Sequence, residues 1–129
     1  MSKARILAVE DDELYADMLR MRLDQLGYTL IEVVQNPKEV MNVLKASNPD
    51  VLLVDIDLGC EMNGIELVSR INEVKDVPVV YVTSFKDKEI IGKAMKTLPE
   101  GYITKPYDAG QLQAAIELAL SRKKQAPDK

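Results

Sequence analysis

The 129-residue chain contains no histidine and a single cysteine, Cys60. Without histidine it cannot form a Ser-His-Asp triad, a histidine-ligated metal site or a phosphohistidine of its own. One cysteine cannot form an internal disulfide bond, so we predict an inert loop thiol at Cys60 and a protein of the reducing cytoplasm. The side chains left as candidates for chemistry are carboxylates, hydroxyls and amines.

Long apolar runs are absent as well, since no segment reaches the length that a transmembrane helix needs. The formal net charge of −4 gives no basis for binding nucleic acid or an anionic membrane. With 47% hydrophobic and 29% charged residues, the composition is typical of a globular protein. We expect one domain over residues 1–122, followed by a polar segment, 123–129, that is either a tail or the start of a linker.

Two kinds of apolar periodicity alternate along the chain. Runs rich in β-branched residues predict five strands, at 6–9, 29–34, 51–54, 77–82 and 101–104. Apolar residues at helical spacing predict helices at 11–26, 37–46, 86–98 and 108–122, and a further one around Ile65, Val68 and Ile71. This alternation indicates an α/β fold with three αβα layers. Right-handed crossovers favour a doubly wound, five-stranded parallel sheet of the flavodoxin-like order 2-1-3-4-5.

Polar residues collect where the predicted strands end. They are Glu10 and Asp11 after the first strand, Asp55 and Asp57 after the third, Thr83 after the fourth and Lys105 after the fifth. The carboxyl ends of parallel strands share one edge of the sheet, which is where such folds bind ligands. Carboxylates crowded there repel one another unless a cation or a proton lies among them. Oxygen ligands without histidine or thiolate favour a hard ion, Mg²⁺ or Mn²⁺.

A carboxylate beside a hard metal ion can attack phosphorus and form an aspartyl phosphate. A hydroxyl and an ammonium group would then help to neutralise the oxygens of the transferred group. Asp55 fits the nucleophile, Thr83 the hydroxyl and Lys105 the ammonium group. Taken singly, each has a simpler explanation, since acids and hydroxyls cap helices and most lysines are solvated. Their joint placement at one edge of the sheet is what favours the site.

Four segments together resemble a response-regulator receiver domain: ILAVEDDELYADML, VLLVDIDLGCEMNGIEL, PVVYVTS and GYITKPY. The resemblance extends from Lys3 to about Lys123. It implies a signalling switch rather than an enzyme, with Asp55 as the phosphoacceptor. The implied partner is a sensor histidine kinase or a histidine phosphotransfer protein, whose phosphohistidine is the donor.

The same resemblance assigns the metal ligands. Asp11 would bind Mg²⁺ directly and Glu10 through water, while Asp55 and the backbone carbonyl of Asp57 complete the protein ligands. The sequence departs from the usual pattern at Gly59, where most members have proline.

The resemblance also implies how the switch works. Thr83 and Lys105 would bind the phosphoryl oxygens, and the peptide bond before Pro106 would be cis. Tyr102 would change rotamer as Thr83 moves toward the phosphate. This movement would remodel the face formed by the fourth helix, fifth strand and fifth helix, through which a homodimer is possible.

Three alternatives remain at this point. A haloacid-dehalogenase-like phosphohydrolase is suggested by the DID segment, although Gly59 stands where threonine or valine belongs and the motif is on the third strand. A flavodoxin-like cofactor binder would need a phosphate-binding loop after the first strand, and this chain has EDDE there. A pseudo-receiver would keep the fold and act by binding alone.

Overall fold

A computed structural model describes residues 4–59 and 62–125 of the chain, with only the backbone for residues 123–125. Cys60, predicted to be an inert thiol, lies outside the described residues. Five strands form one parallel sheet in the order β2-β1-β3-β4-β5, as predicted. They are β1 (Arg5–Val9), β2 (Thr29–Val34), β3 (Val51–Val54), β4 (Val79–Thr83) and β5 (Gly101–Thr104).

Five helices follow the strands in alternation. They are α1 (Glu13–Leu26), α2 (Pro37–Ser47), α3 (Gly64–Val74), α4 (Lys88–Met95) and α5 (Ala109–Gln125). The first four begin at N-caps whose side-chain oxygens accept backbone N–H groups, which are Asp12, Asn36, Asn63 and Asp87. These caps satisfy donors that the first helical turn leaves unpaired.

Each face of the sheet carries its own apolar core. Helices α2, α3 and α4 cover one face, with a core that includes Leu7, Val54, Tyr81, Leu44, Ile71 and Ala94. Helices α1 and α5 cover the other, with a core that includes Ile6, Leu53, Val82, Leu19, Leu112 and Ile116. Burial of each large aliphatic side chain contributes roughly 1.5–3 kcal/mol to folding. The three predicted αβα layers are therefore present.

Two predicted helix starts lie two residues too early. Asp12 caps α1, since its carboxylate accepts the N–H groups of Leu14 and Tyr15 at 2.9 and 3.3 Å. The helix therefore begins at Glu13 rather than Asp11, which leaves Asp11 in the loop after β1. Helix α4 likewise begins at Lys88 rather than at the predicted Lys86, because Asp87 caps it.

The end of α4 was also predicted wrongly. The apolar spacing predicted a helix as far as Leu98, but α4 ends at Met95 and buries only Ala94 among its own residues. The Thr97 hydroxyl donates to the Ala94 carbonyl at 2.6 Å and lies 2.7 Å from the Tyr81 hydroxyl. Leu98 follows with a positive φ of 58° and 82% exposure. A tertiary contact of Thr97 with β4 therefore closes this helix early.

At the carboxyl end, α5 continues to Gln125, three residues into the segment that was predicted to be a tail or linker. Residues 126–129 lie outside the described part of the chain. None of the helices in the part that is described is both long and apolar enough to cross a bilayer.

Candidate functional site

The sheet fixes the backbone of the site residues through hydrogen bonds just past the strand ends. The Glu10 N–H donates to Val34 O and the Asp55 N–H to Val9 O, each at 3.0 Å. The Lys105 N–H donates to Thr83 O at 2.8 Å. Because these bonds extend the ladders of parallel strands, residues distant in sequence reach the same edge with little backbone freedom.

Three carboxylates meet at this edge. Glu10, Asp11 and Asp55 each offer one oxygen, and these oxygens lie within 4.8 Å of one another. Glu10 and Asp55 are 1% and 5% exposed, whereas Asp11 is open to solvent. The Asp57 carboxylate is not part of this group, and it accepts the N–H of Gly59 at 3.2 Å. The Asp57 N–H in turn donates to Asp55 Oδ1 at 3.2 Å.

Lys105 brings a positive charge into the same cluster. Its Nζ lies 2.7 Å from Glu10 Oε1 and 3.0 Å from Asp55 Oδ2, with the lysine 8% exposed. The peptide bond between Lys105 and Pro106 is cis. When all four groups are ionised, three carboxylates and one ammonium leave two net negative charges. A divalent cation would neutralise this net charge.

Crowding and burial shift the protonation equilibria of the cluster. Burial raises the pKa of Glu10 to about 7, the hydrogen bond from Lys105 opposes this shift, and the charge of Asp55 adds to it. Burial and the charge of Asp55 also raise the pKa of Asp11. Burial alone would lower the pKa of Lys105, but its bond to Glu10 and the charge of Asp55 raise it overall. Glu10 and Asp11 therefore hold their protons more tightly than free carboxyls do.

Two glycines allow the loop after β3 to approach the acids. A Cβ at Gly64 would lie 2.2 Å from the Asp55 carbonyl oxygen. Gly59 has a φ of 64°, and a Cβ there would lie 2.6 Å from Asp11 Oδ2. Glycine at position 59, where the resemblance leads one to expect proline, thus leaves room for the Asp11 carboxylate.

Thr83 and Tyr102 meet through the backbone of Phe85. Thr83 is fully buried at the end of β4, and its Oγ1 accepts the Phe85 N–H at 3.4 Å. The Tyr102 hydroxyl donates to the Phe85 carbonyl at 2.8 Å. Burial raises the pKa of Tyr102, and the charges of Asp87 and Asp55 add to it. The loop between β4 and α4 is therefore bonded to both residues that were predicted to switch.

No role at the site was predicted for Tyr15, whose ring centroid lies 4.2 Å from Lys105 Nζ. The signal available was its place in the first turn of α1, four residues after Asp11 and at the same edge of the sheet. The apolar stripe of α1 includes Tyr15, which made core packing the simpler interpretation. Gly64 was likewise not singled out, because a close backbone approach leaves no periodic pattern.

The fold and the cluster define a class of protein: a doubly wound α/β domain with acids and one lysine at the carboxyl ends of its strands. Residues 6–117 match the family model described as response regulator receiver domain, and the chain belongs to this family. It is thus a phosphoacceptor domain of two-component signalling. The family resemblance inferred from the four sequence segments is confirmed.

Individual proteins show the same likeness. Transcriptional regulatory protein YvrH of Bacillus subtilis is 30% identical over 128 residues, which cover 99% of this chain and 54% of YvrH. PdtaR of Mycobacterium tuberculosis is 28% identical, over 92% of this chain and 57% of PdtaR. The chain thus spans about half the length of these two curated relatives.

Among solved structures, the signal receiver domain of a modulated diguanylate cyclase from Desulfovibrio desulfuricans G20 superposes with a TM-score of 0.90 at 34% identity. The match covers 98% of this chain and 100% of that one.

Proposed function

We propose that Asp55 is the phosphoacceptor and that a sensor histidine kinase or a histidine phosphotransfer protein supplies the phosphoryl group. The observation that supports this assignment is the position of Asp55, buried between the Lys105 ammonium and two further carboxylates. One Asp55 oxygen forms the new P–O bond as the P–N bond of the phosphohistidine breaks, and its electron pair stays on the imidazole nitrogen. The donor histidine belongs to the partner, because this chain has none.

The donor set fits a hard divalent cation, since it consists of carboxylate oxygens with two net negative charges. We propose Mg²⁺, or Mn²⁺ in its place, held by Glu10, Asp11 and Asp55 together with the backbone carbonyl of Asp57. When bound, the cation supplies positive charge beside the phosphoryl oxygens. Asp57 would contribute through its backbone carbonyl, as the family resemblance implies.

Lys105 and Thr83 act on the phosphoryl group itself. The Lys105 ammonium, 3.0 Å from Asp55 Oδ2, neutralises charge that develops on a phosphoryl oxygen next to that position. The Thr83 hydroxyl donates a hydrogen bond to another phosphoryl oxygen. Both groups are buried, so their interactions with the phosphoryl group are screened little by water. Lys105→Ala is expected to permit some uptake while uncoupling it from the switch.

The backbone of Phe85 then transmits the effect of phosphorylation to the protein surface. When the Thr83 hydroxyl turns to the phosphoryl oxygen, it leaves the Phe85 N–H, and the β4–α4 loop loses its hydrogen bond to Thr83 while the bond from Tyr102 to the Phe85 carbonyl remains. Tyr102, bonded to the Phe85 carbonyl, then changes rotamer with the loop. The result is a shift between two arrangements of the face formed by α4, β5 and α5. This face is the proposed contact surface for an output partner or a second copy of the chain.

The proposed role is that of a switch that accepts a phosphoryl group, not an enzyme with its own substrate. A cytoplasmic location is proposed with it, supported by a chain that cannot form an internal disulfide.

Intact mass spectrometry after incubation with a small phosphodonor and Mg²⁺ tests the acceptor assignment. We expect one phosphoryl adduct on the wild-type protein and none on Asp55→Asn or in the presence of a chelator. Asp24→Asn, which removes an exposed carboxylate of α1, is the matched control and should keep the adduct. Mg²⁺-dependent uptake by Asp55→Asn would overturn the assignment. No adduct on any folded sample would favour the pseudo-receiver instead.

A further inference from the structure

The Lys105 ammonium is enclosed by three groups. An ammonium has three N–H donors, and Glu10 and Asp55 accept hydrogen bonds from Nζ at 2.7 and 3.0 Å. The ring of Tyr15 lies against the same nitrogen, with its centroid 4.2 Å from Nζ. That distance is well inside the range of about 6 Å over which an aromatic face attracts a cation.

Tyr15 is itself held by its neighbours. Its ring centroid lies 6.4 Å from that of Tyr107, with the two planes 34° apart. Tyr107 is 4% exposed, and the Arg22 guanidinium lies 5.0 Å from its ring centroid. Arg22 also donates to the backbone carbonyl of Tyr107. This aromatic column joins α1 to the segment that follows Lys105, and it places a second ring beside that of Tyr15.

We propose that Tyr15 is a positioning residue for Lys105 and holds its ammonium at the phosphoryl site by a cation–π contact. The inference rests on the proposed function, in which Lys105 neutralises a phosphoryl oxygen. A lysine is a point charge on a flexible stem, so its carboxylate partners alone do not fix its direction. When Asp55 is phosphorylated, its carboxylate becomes an acyl phosphate and the ammonium loses part of one ionic partner. The Tyr15 ring keeps the ammonium in place. A phosphoryl oxygen can then accept its hydrogen bond without a change in the conformation of the lysine side chain.

A simpler role for Tyr15 is apolar packing between α1 and the segment after β5. The two roles differ in what they require of the side chain. Packing needs volume and apolar surface, which leucine also offers. A cation–π contact needs the negative face of an aromatic ring, which phenylalanine keeps and which ring fluorination reverses at nearly constant shape.

The test compares three variants in the full chain: Tyr15→Phe, Tyr15→Leu and Tyr15→pentafluorophenylalanine. The measured quantity is the initial rate of phosphoryl incorporation from acetyl phosphate with Mg²⁺, by intact mass. We expect Tyr15→Phe to stay within about twofold of wild type and the other two to be about 3- to 30-fold slower. Met21→Ala, which changes an exposed apolar residue of the same helix, is the control and should leave the rate unchanged.

A double-mutant cycle separates positioning from packing. In a Lys105→Ala background, replacing Tyr15 with leucine should change the remaining rate by no more than about twofold, because the group that the ring holds is gone. A slowing that persists in this background would overturn the proposal. So would equal rates for the phenylalanine and pentafluorophenylalanine variants, a comparison that stays informative even if Tyr15→Leu fails to fold.

A second readout is independent of phosphorylation. The Lys105 side-chain methylene protons next to Nζ should show an upfield ring-current shift in the NMR spectrum of wild type and Tyr15→Phe, and lose it in Tyr15→Leu. Absence of the shift in wild type would overturn the contact. If the wild-type protein takes up no phosphoryl group, the proposed function fails and the role of Tyr15 fails with it. If uptake is normal and all three variants match wild type, only the role of Tyr15 fails.

Discussion

Glu10→Gln is expected to stabilise the metal-free protein at neutral and alkaline pH. Glu10 is 1% exposed and shares its cluster with Asp55 and Asp11, so its negative charge is costly without a cation. Its pKa rises from 4.5 to about 7 on folding, which favours the protonated form in the folded protein. The stability that this preference supplies is present below pH 4.5 and is lost as the pH rises through about 7.

The size of the effect follows from that shift. At about 1.4 kcal/mol per pKa unit, moving from 4.5 to about 7 makes folding less favourable by about 3 kcal/mol once Glu10 is ionised. Above pH 7 the variant avoids this cost, but its amide accepts a weaker hydrogen bond from Lys105 than a carboxylate does. We therefore expect its free energy of unfolding to exceed that of wild type by about 1–3 kcal/mol. Below pH 4.5 the two proteins should differ little.

Urea denaturation followed by far-ultraviolet circular dichroism, with a chelator present, measures this difference across the pH range. Added Mg²⁺ should stabilise wild type more than the variant, because the cation then offsets the charge that the variant lacks. Glu13→Gln, an exposed acid at the start of α1, is the matched control and should show no such gain. The reasoning is refuted if Glu10→Gln is less stable at every pH, or if its gain does not change between acid and alkaline pH.

Three further predictions concern stability. Gly64→Ala should lose about 1–3 kcal/mol or more in urea denaturation, because a Cβ would lie 2.2 Å from the Asp55 carbonyl oxygen. Gly92→Ala should instead gain about 0.5–1 kcal/mol, because this glycine lies inside α4 with nothing within 4 Å of an added Cβ; a loss would contradict the exposure of that helix. Burial raises the pKa of Tyr81 and of Tyr107 to about 12, so the stability they supply should be lost as the pH rises from 10 to about 12. A pH titration followed by phenolate absorbance measures these pKa values, and the chain has no tryptophan to obscure the signal. Titration of all the tyrosines near pH 10 would contradict the prediction.

The sequence predicted the sheet order and the edge where the polar residues meet, and the reason lies in short-range periodicity. Strands such as β3, with four consecutive buried apolar residues, are typical of a sheet covered on both faces. The carboxyl ends of parallel strands then lie at one edge of the sheet, independently of the conformation of the loops. Glu10, Asp55 and Lys105 could be placed together on that ground alone, although they lie up to 95 residues apart in the sequence.

Other features depended on contacts that periodicity does not report. Helix α4 is shorter than its apolar spacing predicted because Thr97 bonds to Tyr81 and to the Ala94 carbonyl. Asp11 stays outside α1 because the neighbouring Asp12, and not Asp11, caps the helix. In both cases a side-chain hydrogen bond competed with the helix, and the pattern of apolar residues does not record that competition.

The fold class, the parallel topology and the set of acids, hydroxyl and lysine at one edge follow from the alternation of apolar and polar residues along the chain. Which of these groups touch depends instead on how the elements pack. The tertiary structure placed the Asp57 carboxylate on Gly59 instead of in the acid cluster, joined Thr83 to Tyr102 through Phe85, and set the Tyr15 ring on Lys105. Such contacts depend on distances between elements, which packing across the sheet fixes and one-dimensional periodicity leaves undetermined.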